Sequence, residues 1–353
     1  MKKILLFILF SAFTLFSQSE NKYVPLNSPQ TGFINDLVLI YQGGAHRMEW
    51  NETEFSPYTA VYDSLTGTGN WLFDGFLFIE FKDGRGHEFA HGYGNKPARK
   101  VDWLWLLKRN FERNKGLDAL DRTISSFIYK IGVPPSKRKV VLTLPEPIIN
   151  QEDWGAVDGD TLFFNNNDAR INACRWFIET ALNMWKEFNP HNLELAGFYW
   201  VAEYGSEAAE VIPAVAKLIK DAGKKFYWIP YWKAPLNDAW NRLGFDAAYQ
   251  QPNHFFHPEL PDERIDLACQ FAAEHKMGLE MEFDKRMISD STNYYGRFWS
   301  YINAFEKNDV WINSAVAYYE GGGAIYALAN SNDKNLRRAY NKLVEIIIKR
   351  QRK

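Results

Sequence analysis

Cysteine is scarce in this chain, and charge of one sign is not in excess. Two cysteines in 353 residues leave no disulfide framework, so the fold must depend on its core. The 41 basic and 43 acidic residues give a formal net charge of -2. Nucleic-acid binding depends on clustered basic side chains that meet phosphates. We therefore expect no nucleic-acid partner.

Long apolar segments are also lacking, apart from one near the start of the chain. Lys2 and Lys3 precede an apolar run over residues 4–16, and small polar residues follow it. This pattern is typical of a secretory signal peptide, and the run is shorter than the roughly 20 residues that span a bilayer. We predict a signal peptide over residues 1–19, export to the periplasm or out of the cell, and no membrane partner.

Short apolar segments of strand character alternate with segments of helical spacing. The predicted strands are 36–42, 73–81, 139–145, 195–203, 225–232, 245–251, 277–283 and 314–320. The predicted helices are 101–115, 168–188, 206–222, 261–275, 292–307 and 333–350. Such alternation indicates a parallel sheet covered on both faces, and eight units in this length favour an α/β (β/α)8 TIM barrel. We predict one such domain over residues 25–353.

Two connections depart from this regular pattern. Residues 43–72 contain at most one short helix, near residues 52–61, and residues 82–100 form a glycine-rich insertion. These long loops follow strands 1 and 2, so we expect them over the carboxyl-terminal rim, where TIM-barrel active sites lie. No G-x-G-x-x-G follows the first strand, which disfavours a dinucleotide-binding fold.

The glycine-rich insertion contains H-E-x-x-H at residues 87–91, the sequence form of a zinc protease site. Such sites need a helix that places both histidines on one face. Glycines surround the motif and Pro97 follows it, so we expect no helix there. We interpret the match as accidental and expect no metal or other cofactor. Contact of His87 or His91 with a substrate stays open, and a zinc metalloprotease is the weaker alternative.

Acidic residues at the ends of predicted strands 4 and 7 are the main catalytic candidates. The two-residue period of a strand directs Glu203 inward in strand 4, and Glu280 and Glu282 inward in strand 7. Glycoside hydrolysis needs one carboxyl that protonates the leaving oxygen and a second that attacks the anomeric carbon or activates water. We predict Glu203 as acid/base, Glu282 as nucleophile and Glu280 as its deeper support. The alternative is that Glu280 and Glu282 are structural and pair with basic residues.

Aromatic residues are abundant, with 13 Trp, 18 Tyr and 26 Phe. Besides filling a core, their rings stack on the apolar faces of pyranoses, and amide side chains bind hydroxyl groups. For each candidate below, an ordinary packing or loop role is the alternative. The predicted substrate-binding residues are Gln42, Trp50, Glu146, Tyr199, Trp232, Gln251, Asn253, Glu280 and Tyr319.

The segments DLVLIYQGG, NWLFDGFLFIEF, LAGFYWVAE and FDAAYQQPNHF, in this order, resemble a family of secreted bacterial proteins common in Bacteroidetes, the domain of unknown function DUF4855. The resemblance covers residues 35–330 and implies a glycoside-hydrolase-type TIM barrel, without an established activity. More distantly, glutamates ending strands 4 and 7 are similar to those of the large retaining glycosidase clan. That similarity implies the acid/base position for Glu203 and the nucleophile position for Glu282. In the clan the first of these glutamates usually follows Asn, whereas here it follows Ala202.

These observations predict a secreted, monomeric glycoside hydrolase that acts on a polysaccharide or glycan with retention of configuration. The alternative from another class is a non-catalytic carbohydrate-binding barrel that keeps the aromatic cleft but lacks a working acid pair. The separation of the Glu203 and Glu282 carboxyls discriminates among these hypotheses, because retaining pairs lie about 5 to 5.5 Å apart and inverting pairs about 6.5 to 9.5 Å apart.

Overall fold

The predicted apolar segments form a closed ring of parallel strands. The computed structural model describes residues 21–289 and 293–351, so the predicted signal peptide lies outside the described residues. The strands are β1 (Asp36–Tyr41), β2 (Gly75–Ile79), β3 (Arg138–Leu144), β4 (Leu193–Trp200), β5 (Lys225–Trp228), β6 (Ala247–Gln250), β7 (Gly278–Glu282) and β8 (Val316–Tyr319). Neighbours in the ring follow chain order, and β8 pairs with β1 to close it. This confirms the predicted (β/α)8 barrel.

Helices surround the ring. They are α1 (Glu52–Thr59), α2 (Lys100–Asn110), α3 (Gly116–Ile131), α4 (Asn167–Phe188), α5 (Ile212–Asp221), α6 (Glu263–Glu274), α7 (Arg286–Ser289), α8 (Tyr294–Lys307), α9 (Val310–Asn313), α10 (Ala324–Ala329) and α11 (Lys334–Gln351). Each predicted helical segment overlaps one of them, and the predicted short helix after β1 is α1. A capping box between Asn51 and Glu54 fixes the start of α1. Within the described ranges, no helix combines the length and apolarity needed to cross a bilayer.

Some connections differ from the sequence-based expectation. Helix α3 was not predicted, although its buried Leu117, Leu120 and Ile124 recur at three- and four-residue intervals. The predicted helix over 206–222 begins only at α5, because Pro213 fits the first turn of a helix and not its interior. The connection from β5 to β6 contains only a short 3-10 helix. Two small antiparallel hairpins extend other connections, at 60–71 after β1 and at 155–162 after β3.

Side chains of the strands alternate between the barrel interior and the helix layer. Leu37 and Leu39 of β1 belong to the interior cluster, whereas Val38 between them packs with the outer cluster. Both cysteines, Cys174 and Cys269, are buried and unpaired. Two apolar layers, one inside the ring and one between ring and helices, therefore stabilise the fold.

A buried ion pair connects α11 to the seam of the barrel, where the first and last strands pair. Asp36 of β1 accepts hydrogen bonds from Arg350 Nε at 2.6 Å and from the Tyr318 hydroxyl of β8 at 2.7 Å. Arg350, on α11, also donates to the backbone carbonyls of Asn35, Trp311 and Ser314. Both charged groups are nearly inaccessible to water. Loss of either partner would therefore leave a buried charge uncompensated.

We expect Arg350→Met to lower the free energy of unfolding by about 3 to 5 kcal/mol, because Asp36 would stay buried without its cation. Urea titration followed by tryptophan fluorescence measures the change. Lys349→Met on the same helix is the control, since Lys349 is exposed, and it should change stability by less than about 0.5 kcal/mol. Equal losses in the two variants would show that the ion pair does not stabilise the seam.

Candidate active site

Glu203 lies just beyond the carboxyl end of β4 and is half-buried. The strand that leads to it contains an irregularity, because the register with β3 shifts between Leu195 and Gly197. A Cβ atom at position 197 would stand only 1.9 Å from the carbonyl oxygen of Lys225, so no residue except glycine fits there. After this bulge Tyr199 points into the barrel. The strand thus delivers Glu203 to the barrel mouth.

Two side chains from other loops bind the carboxyl of Glu203. The Tyr93 hydroxyl donates to Oε2 and the Gln251 amide donates to Oε1, each at 2.7 Å. Tyr93 comes from the glycine-rich insertion and stacks on Phe81, with ring centroids 4.3 Å apart. Burial raises the pKa of Glu203, whereas both hydrogen bonds act in the opposite direction. The insertion after β2 therefore reaches the site through Tyr93.

Gln251 links Glu203 to the loops after β5 and β6. Its amide also donates to the carbonyl of Ile229 at 2.8 Å, and its own oxygen accepts from Asn253 at 3.1 Å. Asn253 in turn accepts from the backbone N–H of Trp232 at 2.5 Å. Asn253 has a positive φ of 48°, a conformation that asparagine tolerates better than most residues. This chain of hydrogen bonds brings together three of the predicted substrate-binding residues.

Glu280 of β7 lies inside the barrel and has no hydrogen-bond partner within the part of the chain that the structure describes. It is 2% exposed, and neither carboxyl oxygen is fully enclosed. Burial raises its pKa well above the usual range, and the neighbouring carboxyls of Glu282 and Glu203 add to the effect. The charge of Glu280 also acts on Tyr199, so the group belongs to the same end of the barrel as Glu203.

Glu282, the last residue of β7, is completely enclosed. Its Oε2 accepts hydrogen bonds from the Tyr301 hydroxyl of α8 and from the backbone N–H of His254 at 3.2 Å. Its Oε1 is buried without a partner among the described residues. Burial raises the pKa of Glu282 to about 7, against the hydrogen bonds from Tyr301 and His254. Neither Glu280 nor Glu282 forms an ion pair with a basic residue in the described ranges.

A groove with a volume of about 520 Å³ opens beside Glu203. Half-buried Trp232 and Asn253 line one part of it, so these predicted residues present surface to the solvent. Tyr319 is also half-exposed and packs edge-on against Tyr41, with ring centroids 5.7 Å apart. The mouth of the barrel therefore combines carboxyl, amide and aromatic groups.

Other predicted substrate-binding residues are not brought to this surface. Trp50 is fully buried, donates to the carbonyl of Tyr41 at 2.9 Å and packs among aromatic rings. Gln42 is buried and donates to the carbonyl of Arg109. Glu146 is buried and accepts from the His91 backbone at 2.9 Å, which anchors the glycine-rich insertion. Each position follows a strand, but its side chain turns into the protein to satisfy backbone groups or fill space.

The H-E-x-x-H sequence adopts no helix. His87 and Glu88 form a two-residue strand, and His87 Nδ1 lies 2.8 Å from Asp83 Oδ2. Glu88 accepts from the backbone N–H of Gly94 at 2.8 Å, which shapes the turn. Over residues 21–289 and 293–351, no three side chains of the metal-binding types converge on a point. The arrangement that a zinc protease requires is therefore missing from the described structure.

Sequence reasoning did not identify Tyr93 or Tyr301, which bind the two glutamates. Both hydrogen bonds join residues far apart in the chain, so spacing alone carried no signal. The aromatic residue within the glycine-rich insertion was the available clue for Tyr93, since loops over a barrel rim supply site residues.

A comparison with protein families identifies the family of this chain. The family described as Domain of unknown function (DUF4855) matches residues 36–345. The chain belongs to the DUF4855 family. A comparison with curated protein sequences gave no significant match.

Several solved structures are similar to this DUF4855 protein. A Bacteroides thetaiotaomicron protein provisionally described as an alpha-L-fucosidase shares 14% identity over 98% of this chain and 99% of its own, with a TM-score of 0.45. The endo-1,4-beta-D-mannanase of Thermotoga petrophila shares 12% identity, covering 93% and 96%, with a TM-score of 0.39. The tryptophan synthase alpha-subunit of Pyrococcus furiosus shares 10% identity, covering 70% and 80%, with a TM-score of 0.33. We draw no functional conclusion from likenesses this weak.

The enclosure of Glu282 makes stability depend on pH. Its folded-state pKa of about 7 exceeds the usual 4.5, so between these values the native protein keeps a proton that the unfolded chain releases. Stability contributed by this group is therefore lost as pH rises from about 4.5 to about 7. Between pH 5 and pH 8 we expect wild type to lose about 2 to 3 kcal/mol more unfolding free energy than Glu282→Gln.

Urea titrations of both proteins at the two pH values measure this difference. Glu345→Gln is the control, because Glu345 lies on the surface of α11 beside Lys349 and should follow the wild-type pH dependence. If Glu282→Gln lost as much stability as wild type over this range, the proton would not reside on Glu282 in the native state.

Proposed function

We propose that this protein is an exported glycoside hydrolase that cleaves a polysaccharide or other glycan. The observation that supports this best is that one barrel brings together Glu203, beyond β4, and Glu280, on β7, so that the charge of Glu203 acts on the Glu280 carboxyl. Cleavage of a glycosidic bond needs two carboxyls across that bond, one protonated and one ionised. Tyr319 lies near Glu280, is half-exposed and supplies aromatic surface for a sugar, whereas Tyr41 and Tyr199 are buried beside the pair.

The two carboxyls differ in their hydrogen bonds, and this difference suggests their roles. Tyr93 and Gln251 donate to Glu203, which favours its ionised form, whereas no donor reaches Glu280 and a second carboxylate favours a proton there. In the proposed reaction Glu280 protonates the leaving oxygen and Glu203 attacks the anomeric carbon. Glu280 then takes a proton from the water that hydrolyses the glycosyl–Glu203 bond. This assignment gives Glu203 the nucleophile role in place of the acid/base role expected from the sequence.

Glu282 supports the pair in this proposal and does not attack the sugar. A nucleophile must bring an oxygen to the anomeric carbon, and both oxygens of Glu282 are enclosed by protein. Its Tyr301 hydrogen bond would have to break before it could reach a ligand. Where Glu282 loses its proton, above its pKa of about 7, its negative charge helps to keep the proton on Glu280. The protein acts as a monomer without a metal or other cofactor in this proposal.

Replacement of either proposed catalytic carboxyl by its amide should abolish hydrolysis. We expect Glu203→Gln and Glu280→Gln to lower kcat/KM by about a thousandfold or more, because neither covalent attack nor proton transfer can then proceed. Release of reducing ends from a panel of plant, host and microbial glycans identifies the substrate and measures the rates. Glu282→Gln is the matched control on the same strand, and we expect it to lower kcat/KM by less than about tenfold.

A glutamine variant at 203 or 280 that cleaves the substrate as fast as wild type would overturn the proposed pair. Loss of activity in Glu282→Gln alone would return the second role to Glu282. If wild type bound a glycan tightly but released no product from any member of the panel, the non-catalytic carbohydrate-binding barrel would replace the hydrolase.

The roles of the two carboxyls separate when the leaving group no longer needs a proton. On a dinitrophenyl glycoside of the cleaved sugar, we expect Glu280→Gln to recover to within about a hundredfold of wild type, whereas Glu203→Gln stays inactive. The release of dinitrophenolate at 400 nm measures both rates. Recovery of Glu203→Gln with an inactive Glu280→Gln would restore the acid role of Glu203.

A further inference from the structure

An arginine without a carboxylate partner lines the groove beside Glu203. The groove is bounded by Glu203, Tyr231, Trp232, Asn253, His257, Glu259, Leu260 and Arg264. Arg264 is half-buried, and its guanidinium carbon lies 5.3 Å from the centroid of the Trp232 ring. No carboxylate oxygen of the described residues lies within 4.0 Å of this guanidinium. Its charge is therefore available to a ligand.

Other arginines at this end of the barrel make hydrogen bonds within the protein. Arg47 makes two hydrogen bonds to Glu80, at 2.9 and 2.8 Å, and Arg286 binds Asp284 at 2.8 Å. Arg297 donates to a set of backbone carbonyls, including that of Leu260 at 3.2 Å. These groups hold loops together. Arg264 differs from them because it makes no such hydrogen bond to the described residues.

The acidic groups of the groove are paired with residues other than Arg264. Glu259 is engaged with His257, whose Nδ1 lies 3.0 Å from Glu259 Oε1. Glu203 is held by Tyr93 and Gln251 on the side of the barrel mouth. The lining of the groove therefore includes both a guanidinium without a carboxylate partner and the carboxyl proposed to react.

Arg264 is also pre-positioned for ligand binding. A guanidinium stacked on an indole keeps its edge and its five N–H donors free, and the stacking reduces the side-chain freedom lost on binding. Planar N–H pairs match the two oxygens of a carboxylate or a sulfate. We infer that the groove binds an anionic group, a carboxylate or sulfate, on a sugar next to the cleaved bond. This inference rests on the proposed function, since it describes part of the same cleft.

Calorimetric titration with oligosaccharides of equal length tests the inference. The probes are oligogalacturonate, sulfated galactan oligosaccharides and neutral galactan oligosaccharides, titrated into Glu280→Gln protein so that cleavage does not consume them. We expect at least one acidic probe to bind with a Kd about tenfold or more below that of the neutral probe. Which acidic probe binds more tightly distinguishes a carboxylate from a sulfate.

Adding Arg264→Gln should remove the preference for the acidic probe and leave the Kd of the neutral probe unchanged. Arg264→Lys should keep part of this preference because the positive charge remains. Salt should weaken only the binding of the acidic probe. Arg337→Gln is the control, since Arg337 is exposed on α11 above Tyr340 and should have no effect. Equal Kd values for acidic and neutral probes, or a preference that survives Arg264→Gln and Arg264→Lys alike, would overturn the inference.

The outcomes also separate this inference from the proposed function. Arg264-dependent binding of an acidic probe, combined with no product from any glycan of the panel, would support the anionic subsite and overturn the hydrolase. Cleavage of a glycan by wild type, combined with equal Kd values for the acidic and neutral probes, would support the hydrolase and overturn the anionic subsite.

Discussion

Closure of the strand ring is the constraint on which the rest of the molecule depends. Only a closed ring brings the carboxyl ends of β4 and β7, which are separated along the sheet by β5 and β6, to one common mouth. The pairing of β1 with β8 completes that ring, and the buried pair of Asp36 and Arg350 holds the last helix across the seam. One end of the barrel thus contains the ion pair that stabilises the fold, and the other contains the carboxyls that we propose to react.

Desolvation gives the gathered carboxyls their properties. Glu203, Glu280 and Glu282 share one region of low polarity, and burial raises the pKa of each. Their hydrogen bonds then distinguish them. Glu203 accepts side-chain hydrogen bonds from Tyr93 and Gln251, and Glu282 accepts one from Tyr301. Glu280 accepts none from the described residues. In the proposed reaction these different hydrogen bonds give the carboxyls different charge states, as acid–base chemistry at one bond requires.

Local patterns were sufficient for the fold and insufficient for the details of the site. Buried parallel strands are apolar throughout, so all eight appear in the sequence, and strand alternation correctly directed Glu280 inward. Trp50 was predicted to bind substrate but is buried in the core. A tryptophan in the sequence looks the same whether its ring stacks on a sugar or packs in the core. The enclosure of Glu282 depends on Tyr301 and on the loop at His254, and the donor to Glu203 comes from an insertion 110 residues away. Such contacts follow from the assembled barrel and not from neighbours in the chain.

The most direct test of the central claim is covalent trapping of the reaction intermediate. Incubation with a 2-deoxy-2-fluoro glycosyl fluoride of the cleaved sugar should slow hydrolysis of the glycosyl–enzyme bond enough for peptide mapping by mass spectrometry. We predict the label on Glu203. A label on Glu282 or Glu280, or an active enzyme that accumulates no label at all, would contradict the account.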